Sequence, residues 1–311
     1  MSIRIGLGAG LSRPLSPRDY WRWVDGCETA GIDSIWHSDQ MLGPTPGPLA
    51  MLAALAARTE RMRFGTNALI VPFRDPLLAA KQLATIHFLS GGRIFPVFGV
   101  ADAADSYWVA TGAGAKARGA RSNEALALIR QLLEQDHVEF AGDHVRYSGP
   151  GVEPRPATSI PLWTGGHSAA AIRRTAALGD GWLGGLVDPQ TAGATRRGIE
   201  AALAETGRLI EDDHYGVSLP FRIGGANDPA VAEARERLRA RRPTIVADDV
   251  FAVGTADEVI ALLRRHVAAG MSKFVLLPLA GDADDLIAQT RLLVRDVAPA
   301  IENRAAPITR T

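Results

Sequence analysis

Short β-rich runs alternate along the whole chain with longer stretches whose apolar positions recur every three or four residues. That alternation is the pattern of βα units laid around a parallel sheet. Residues 3–9 predict a first strand, and 19–30 a helix with Tyr20, Val24 and Cys27 on one face. Residues 34–36 predict a second strand, 48–58 an Ala/Leu-rich helix and 62–71 a third strand; 76–88 is a helix opened by Pro76, where a missing N–H costs little. The fourth strand, 93–100, runs into a Gly/Ala-rich stretch, 101–119, that is a candidate lid. A helix over 121–134 follows, with Leu126, Ile129 and Leu133 as its buried stripe. Next come a hairpin at 138–147 around Gly142-Asp143 and a short fifth strand at 161–164, whose helix reaches residue 178. Strands at 181–186, 215–223 and 273–279 and helices at 189–205, 257–269 and 284–297 complete the pattern. The polar stretch 224–249, with Arg235, Arg237, Arg239, Arg241 and Arg242, predicts an inserted helix with a solvated charged face.

Eight strand–helix pairs in 311 residues fit a closed (β/α)8 TIM barrel better than an open doubly wound sheet. The expected architecture is one α/β domain over residues 1–311, with insertions after strands 4 and 7. Residues 6–11 read Gly-Leu-Gly-Ala-Gly-Leu, without the third glycine at dinucleotide-binding spacing. In such a barrel the chemistry lies where strands end.

Charge narrows the partners. Lys plus Arg number 34 and Asp plus Glu number 34, so nothing favours nucleic acid or an anionic membrane, and a small-molecule substrate is expected. The single cysteine, Cys27, forms no intrachain disulfide and rules out thiolate metal clusters within one chain, which points to a reducing compartment. The first residues lack the pattern of a signal peptide and no window reaches 18 apolar residues, so a cytoplasmic location is expected.

Four segments carry candidate chemistry. Residues 161–172 are a strand entering Gly165-Gly166-His167-Ser168 and then a helix; this is either a phosphate site on free backbone N–H groups or a plain tight turn with an N-cap. Trp36-His37-Ser38-Asp39-Gln40 ends the second strand, where an imidazole, a carboxylate and an amide can orient substrate or move a proton, or simply cap a turn. Gly65-Thr66-Asn67-Ala68 interrupts an apolar strand with small residues, leaving room for a flat ligand or marking a bulge. Asp102 and Asp105, with Tyr107 and Trp108, open the long loop, where the rings either stack on a ligand or pack the loop itself. The seven histidines show no ligand spacing, so no metal is expected, and neither a P-loop nor G-x-S-x-G is present. A chain poor in its own nucleophiles and metals borrows chemistry from a cofactor.

These segments resemble the bacterial luciferase-like family of flavin monooxygenases and deazaflavin (F420)-dependent oxidoreductases. The resemblance is carried by Ala30-Gly31-Ile32-Asp33-Ser34-Ile35-Trp36-His37-Ser38-Asp39, by Phe64–Ala68 with Phe73-Arg74-Asp75-Pro76, and by Leu89-Ser90-Gly91-Gly92-Arg93. Arg118, Arg121 and Glu124, the Pro161–Ser168 run, Leu178-Gly179-Asp180-Gly181-Trp182 and Val253-Gly254-Thr255-Ala256-Asp257-Glu258-Val259 extend it over nearly the whole chain. It implies that Gly165, Gly166, His167 and Ser168 hold a cofactor phosphate. It also implies a cis Asn67–Ala68 bond against the cofactor ring, with Asp39 and Asp102 near the cofactor and a homodimer paired through early helices. Coenzyme F420 is the leading cofactor and FMN the other; the reaction is hydride transfer with the first or oxygen insertion with the second, served by a separate reductase.

Two departures bear on catalysis. Many relatives have histidine where this chain has Gln40, and the segment after strand four reads Gly99-Val100-Ala101-Asp102-Ala103-Ala104 without the usual glutamate. The catalytic candidates are therefore His37, Asp39 and Gln40, and a non-catalytic flavin-binding protein of the same fold is the alternative. A phosphate-binding isomerase barrel without flavin is a third reading.

Overall fold

The computed structural model describes residues 2–9, 15–112 and 114–303; Gly10 and Leu11 of the early glycine run and Ala113 of the candidate lid lie outside the described residues. The strands are β1 (Arg4–Gly8), β2 (Ser34–His37), β3 (Arg63–Thr66), β4 (Leu69–Ile70), β5 (Ile94–Phe95), β6 (Val97–Gly99), β7 (His137–Ala141), β8 (Arg146–Pro150), β9 (Trp163–Gly165), β10 (Gly181–Gly185), β11 (Tyr215–Ile223), β12 (Ala252–Gly254) and β13 (Lys273–Pro278). The helices are α1 (Pro17–Thr29), α2 (Pro48–Arg58), α3 (Pro76–Ser90), α4 (Tyr107–Thr111), α5 (Arg118–Glu134), α6 (Ala169–Leu178), α7 (Pro189–Thr206), α8 (Pro229–Arg241), α9 (Ala247–Val250), α10 (Ala256–Ala268), α11 (Ala283–Leu292) and α12 (Ala298–Ile301).

All eight predicted core strands are present, and two of them are broken. The third divides into β3 and β4 and the fourth into β5 and β6. Pro96 has no N–H to continue a ladder, so β3 pairs with β5 through Phe64↔Ile94 and Gly65↔Phe95, and β4 with β6 through Leu69↔Phe98 and Ile70↔Gly99. Between them the buried Thr66 hydroxyl donates to the Val97 carbonyl at 2.8 Å and accepts from the Val97 N–H at 2.9 Å. A side chain thus replaces the ladder next to Asn67–Ala68, which is cis. The Arg-rich insertion holds α8 and α9, with Arg235 paired to Asp248 and Arg237 to Glu233 on exposed side chains. It is followed by β12, a strand too short to show alternation in the sequence.

The chain divides into two compact units, neither of them a contiguous piece of sequence. In the first, residues 1–35, 183–198 and 210–311, β13 pairs in parallel with β1 (Arg4↔Lys273 to Leu7↔Leu276) and with β11 (Gly216↔Lys273 to Phe221↔Pro278), and β12 pairs with β11. Leu7, Val217, Leu219, Phe221, Phe274 and Leu276 are fully buried there. The buried Asp33 carboxylate takes Arg4 at 3.4 Å and Lys273, pinning the starts of β1 and β13 to the chain entering β2.

In the second unit, residues 36–182 and 199–209, the parallel pairs are β3–β5, β4–β6 and β6–β9. Helix α3 packs on α2 and α5; Asp75 caps its start by accepting from Leu78 N–H at 2.9 Å, and Gly91 at φ +61 ends it. The Trp36 ring occupies the space a Cβ at Gly65 would take, and the Trp163 ring does the same at Gly181. Glycine is needed at both positions so that an indole can lie on the neighbouring strand. The hairpin β7–β8 is held at its tip by Glu124 of α5, whose carboxylate accepts from the N–H groups of Asp143, His144 and Val145 at 3.2, 2.8 and 3.0 Å.

Candidate active site

All ten residues singled out from the sequence lie in the second unit, at or after the C-terminal ends of β2, β3, β6 and β9. His37 closes β2 and is 3% exposed. Burial pushes its imidazole down to about 4, so at neutral pH the ring is uncharged, has no acidic proton to give and is a weak base. Its carbonyl accepts the Asn67 N–H at 2.8 Å, which brings the end of β2 to the cis bond.

Asp39 carries the densest set of contacts. Its Oδ2 accepts from the Ile70 N–H at 2.9 Å and from Arg74 Nη1 at 2.6 Å, while Oδ1 accepts from Arg74 Nη2 at 2.9 Å. Arg74 Nη1 also donates to the Ile70 carbonyl at 2.9 Å, and the Asp39 side chain is only 4% exposed. A bidentate guanidinium–carboxylate pair is a strong and directional link. It fixes residues 69–74, and with them Ala68, to the end of β2. Gln40, by contrast, is exposed and folds over Gly43, whose N–H donates to the Gln40 carbonyl at 3.2 Å.

Asn67 and Ala68 are half-buried, and the Ala68 Cβ comes within 3.3 Å of the place a Gly99 side chain would occupy. The loop after β6 turns through Ala101 at φ +57. There the exposed Asp102 carboxylate accepts from Ala104 N–H at 3.3 Å, its N–H donates to Asp105 Oδ2 at 2.9 Å, and its carbonyl accepts the Trp108 indole N–H at 2.7 Å. Trp108 is buried against Phe73 with centroids 4.4 Å apart; Tyr107 meets Phe73 edge-on at 6.0 Å, and the Arg121 guanidinium lies 5.7 Å from the Trp108 ring. Of the two readings of this loop, the one packed by its own aromatics describes Trp108. Phe73 and Arg74, adjacent in sequence, therefore hold both neighbouring loops, one by ring packing and one by the ion pair with Asp39.

Strand β9 ends at Gly165, and Gly166 at φ +95 takes a backbone conformation that L side chains rarely adopt. Its carbonyl accepts the buried Trp182 indole N–H at 2.8 Å, and Ser168 caps α6 by accepting from Ala171 N–H at 3.2 Å. Residues 166–170 are exposed, so the first turn of a ten-residue helix opens to solvent directly after the glycine pair. That is the arrangement in which backbone N–H groups and the helix dipole receive a phosphate.

Elsewhere, in the first unit, a cavity of about 380 Å³ is lined by Ile5, Ala30, Gly31, Ile32, Val294, Ala298, Pro299 and Glu302. It lies toward the N-terminal ends of β1 and β2, and its one carboxylate, Glu302, already accepts the Ile5 N–H at 3.0 Å. No candidate group lines it. Among the described residues no helix is long and apolar enough to cross a membrane.

Comparison with known proteins identifies the family and the fold. The sequence profile of the luciferase-like monooxygenases matches residues 1–290. The chain belongs to that family. It is 28% identical over 306 residues to the F420-dependent glucose-6-phosphate dehydrogenase of Amycolatopsis mediterranei, covering 88% of this chain and 92% of the relative. Among solved structures it is similar to an F420-dependent secondary alcohol dehydrogenase in complex with an F420-acetone adduct, with a TM-score of 0.83, 20% identity, and 97% and 100% of the two chains covered. It is also similar to the oxygenating constituent of 3,6-diketocamphane monooxygenase of Pseudomonas putida in complex with FMN, with a TM-score of 0.76, 18% identity, and 98% and 100% covered. The α/β fold is thus that of the luciferase-like (β/α)8 TIM barrels. Sequence reasoning had placed Arg74 and Glu124 in family motifs without a role; the structure shows that Arg74 locks Asp39 and that Glu124 anchors the hairpin.

Proposed function

We propose that this luciferase-like protein is a flavin- or deazaflavin-dependent oxidoreductase acting on a small organic substrate, with coenzyme F420 the leading cofactor and FMN the other. The observation that carries the reading is the exposed, Ser168-capped start of α6 directly after Gly165 and Gly166, in a chain matched by the family over residues 1–290. The residues fit such a cofactor. Gly165, Gly166, His167 and Ser168 would hold its phosphate, and Asn67–Ala68 would lie against its ring. When bound, the cofactor supplies hydride transfer, or oxygen insertion in the case of reduced FMN.

In this reading Asp39 positions Ala68 through Arg74 and Ile70 rather than moving protons, because its carboxylate is filled by three donors. Gln40 offers an amide to substrate, and His37 a neutral, buried ring. With Gln40 an amide, His37 uncharged and the Asp39 carboxylate occupied by its three donors, any proton the reaction needs comes from substrate or water. Homodimer formation through the early helices is supported by Leu78, Phe88 and Leu89, which leave apolar surface exposed on α3. A separate reductase would serve the cofactor. The same shortage of proton donors favours the second reading, a flavin-binding protein of this fold without turnover.

Calorimetric titration of the purified protein with FMN and with F420, each oxidised and reduced, tests the assignment. Preference for F420 supports hydride transfer, and preference for reduced FMN supports oxygen insertion. Tight binding of the oxidised form without turnover on any substrate supports the second reading. Binding of neither cofactor overturns both.

A further inference from the structure

The segment that carries Ala68 is held from two sides, and both holds meet in the single 3-10 turn Val71–Phe73 and the arginine that follows it. One is the clamp on Asp39, which takes the Ile70 N–H and both terminal nitrogens of Arg74, while the Arg74 backbone N–H donates to the Val71 carbonyl at 3.0 Å. The other is the loop after β6. Ile70 pairs with Gly99, the last residue of β6, and a Cβ at Gly99 would stand 3.3 Å from the Ala68 Cβ and 3.3 Å from the Ile70 Cδ1. The strand that feeds the loop thus approaches Ala68 as closely as a glycine allows.

Phe73 closes the circuit. Its half-buried ring lies 4.4 Å from Trp108 and meets Tyr107 edge-on at 6.0 Å. Trp108, 5% exposed, is held on further sides. Its indole N–H donates to the Asp102 carbonyl at 2.7 Å, and Arg121, which donates to the Gly114 carbonyl at 2.5 Å, places its guanidinium 5.7 Å from the ring. Trp108 therefore ties the start of the loop to its end and presents both to Phe73. The contacts run from Ala68 through Arg74, Phe73, Trp108 and Gly99 back to Ala68, all within residues 36–182 of the second unit. Close-packed side chains transmit a displacement rather than absorb it.

We infer that Phe73 is a positioning residue that couples loop 101–108 to the Ala68 seat, so that the packing of the loop sets how tightly the site holds a planar ring. The inference rests on the flavin or deazaflavin reading for the identity of that ring, and on the contacts alone for the coupling. Such coupling is reciprocal. A ring seated on Ala68 protects the loop, and it does so only while the Phe73–Trp108 pair is intact.

The test compares the full-length wild type with Phe73→Leu and Trp108→Leu, which remove the ring pair from either side, and with Trp108→Phe, which keeps a ring there. The first readout is amide exchange without ligand at Ile70, whose N–H is bound by Asp39. It is expected to rise about tenfold in both leucine variants and to stay within about threefold of wild type in Trp108→Phe, with hairpin β7–β8 unchanged. The second readout is titration with F420, FMN and riboflavin. A ligand whose ring rests on Ala68 should bind the leucine variants about 3- to 10-fold more weakly, by the same factor for FMN as for riboflavin, because the defect is at the ring and not at the phosphate. Trp108→Phe should restore the affinity, and ring binding should slow exchange at 101–108 in the wild type but not in Phe73→Leu. Ile70 exchange that stays at the wild-type rate in Trp108→Leu overturns the coupling. So does exchange that rises equally over β5, β6 and β9, which makes the pair ordinary core packing, and so does unchanged ring affinity in a variant whose Ile70 exchange has risen. A wild type that binds none of the three ligands overturns the oxidoreductase reading instead, and Ile70 exchange then decides the coupling by itself.

Discussion

Removing one partner of the Asp39–Arg74 pair separates a positioning role from a catalytic one. Arg74→Met leaves the Asp39 carboxylate 4% exposed with the Ile70 N–H as its remaining donor of the three described, and stranding a buried charge in this way costs about 3–5 kcal/mol. Asp39→Asn keeps an oxygen for the Ile70 N–H but turns two charge-assisted bonds, at 2.6 and 2.9 Å, into weaker ones or none; the expected cost is about 2–3 kcal/mol. The two residues touch, so the double variant should lose less than the sum of the singles by about 1.5–3 kcal/mol. Urea unfolding at pH 7 measures all three. Because the pair holds residues 69–74, cofactor affinity should fall in each variant while the pH dependence of kcat keeps its shape. An Asp39→Asn protein with wild-type stability, lost turnover and a missing limb in its pH profile would show that Asp39 itself transfers protons, and the clamp argument would fail.

Acid stability follows from two buried histidines. His37 and His266 are both pushed down to about 4, His37 by burial and His266 by burial, then Arg265, against an opposing pull from Asp188. Each group is neutral in the fold and protonates more readily in the unfolded chain, so its contribution is intact above about pH 6.5 and is lost as pH falls toward 4; at pH 5 the loss is about 2 kcal/mol per histidine. His266→Phe should recover about half of the drop between pH 7 and pH 5 in chemical denaturation, and an unchanged drop would contradict the assignment. Thr66→Val leaves the Val97 N–H and carbonyl without the hydroxyl that serves both; unfolding should become easier by about 2–5 kcal/mol, and a cost below 1 kcal/mol would mean that β3 and β5 close the gap themselves. Glu124→Ala should speed amide exchange at residues 143–145 about tenfold with the global unfolding midpoint nearly unchanged; equal protection in both proteins would show that the hairpin tip is held by its own turn.

What could be read from the sequence was local. The eight strands follow from short β-rich runs, and the α6 start from glycines, a serine and a helical stripe within a dozen residues. What escaped was set by distant contacts. Arg74 binds an aspartate 35 positions away, and nothing in the residues flanking Asp39 distinguishes a locked carboxylate from a free one. Gly65 invited a ligand on grounds of size, yet the Trp36 ring and the Phe95 carbonyl stand where its side chain would be. Trp108 was open to stacking on a ligand until Phe73 was seen against it. The interruption in the third strand was visible as Thr66-Asn67, whereas the matching break at Pro96 needs the partner strand to explain it.

The clamp and the buried imidazole together bear on the kind of reaction this site can run. Hydride transfer between a carbon and a deazaflavin moves a proton only when the substrate is an alcohol or carbonyl, and directly after Ser38-Asp39 this chain has Gln40, an amide that neither gives nor takes a proton. With Asp39 filled and His37 neutral, such a substrate would have to exchange its proton with solvent near the exposed Gln40. A rate that is independent of pH between about 6 and 9, with a solvent isotope effect near unity, is the signature of a reaction that needs no protein acid. A bell-shaped profile would require a titrating group other than the Gln40 amide and the buried His37 ring.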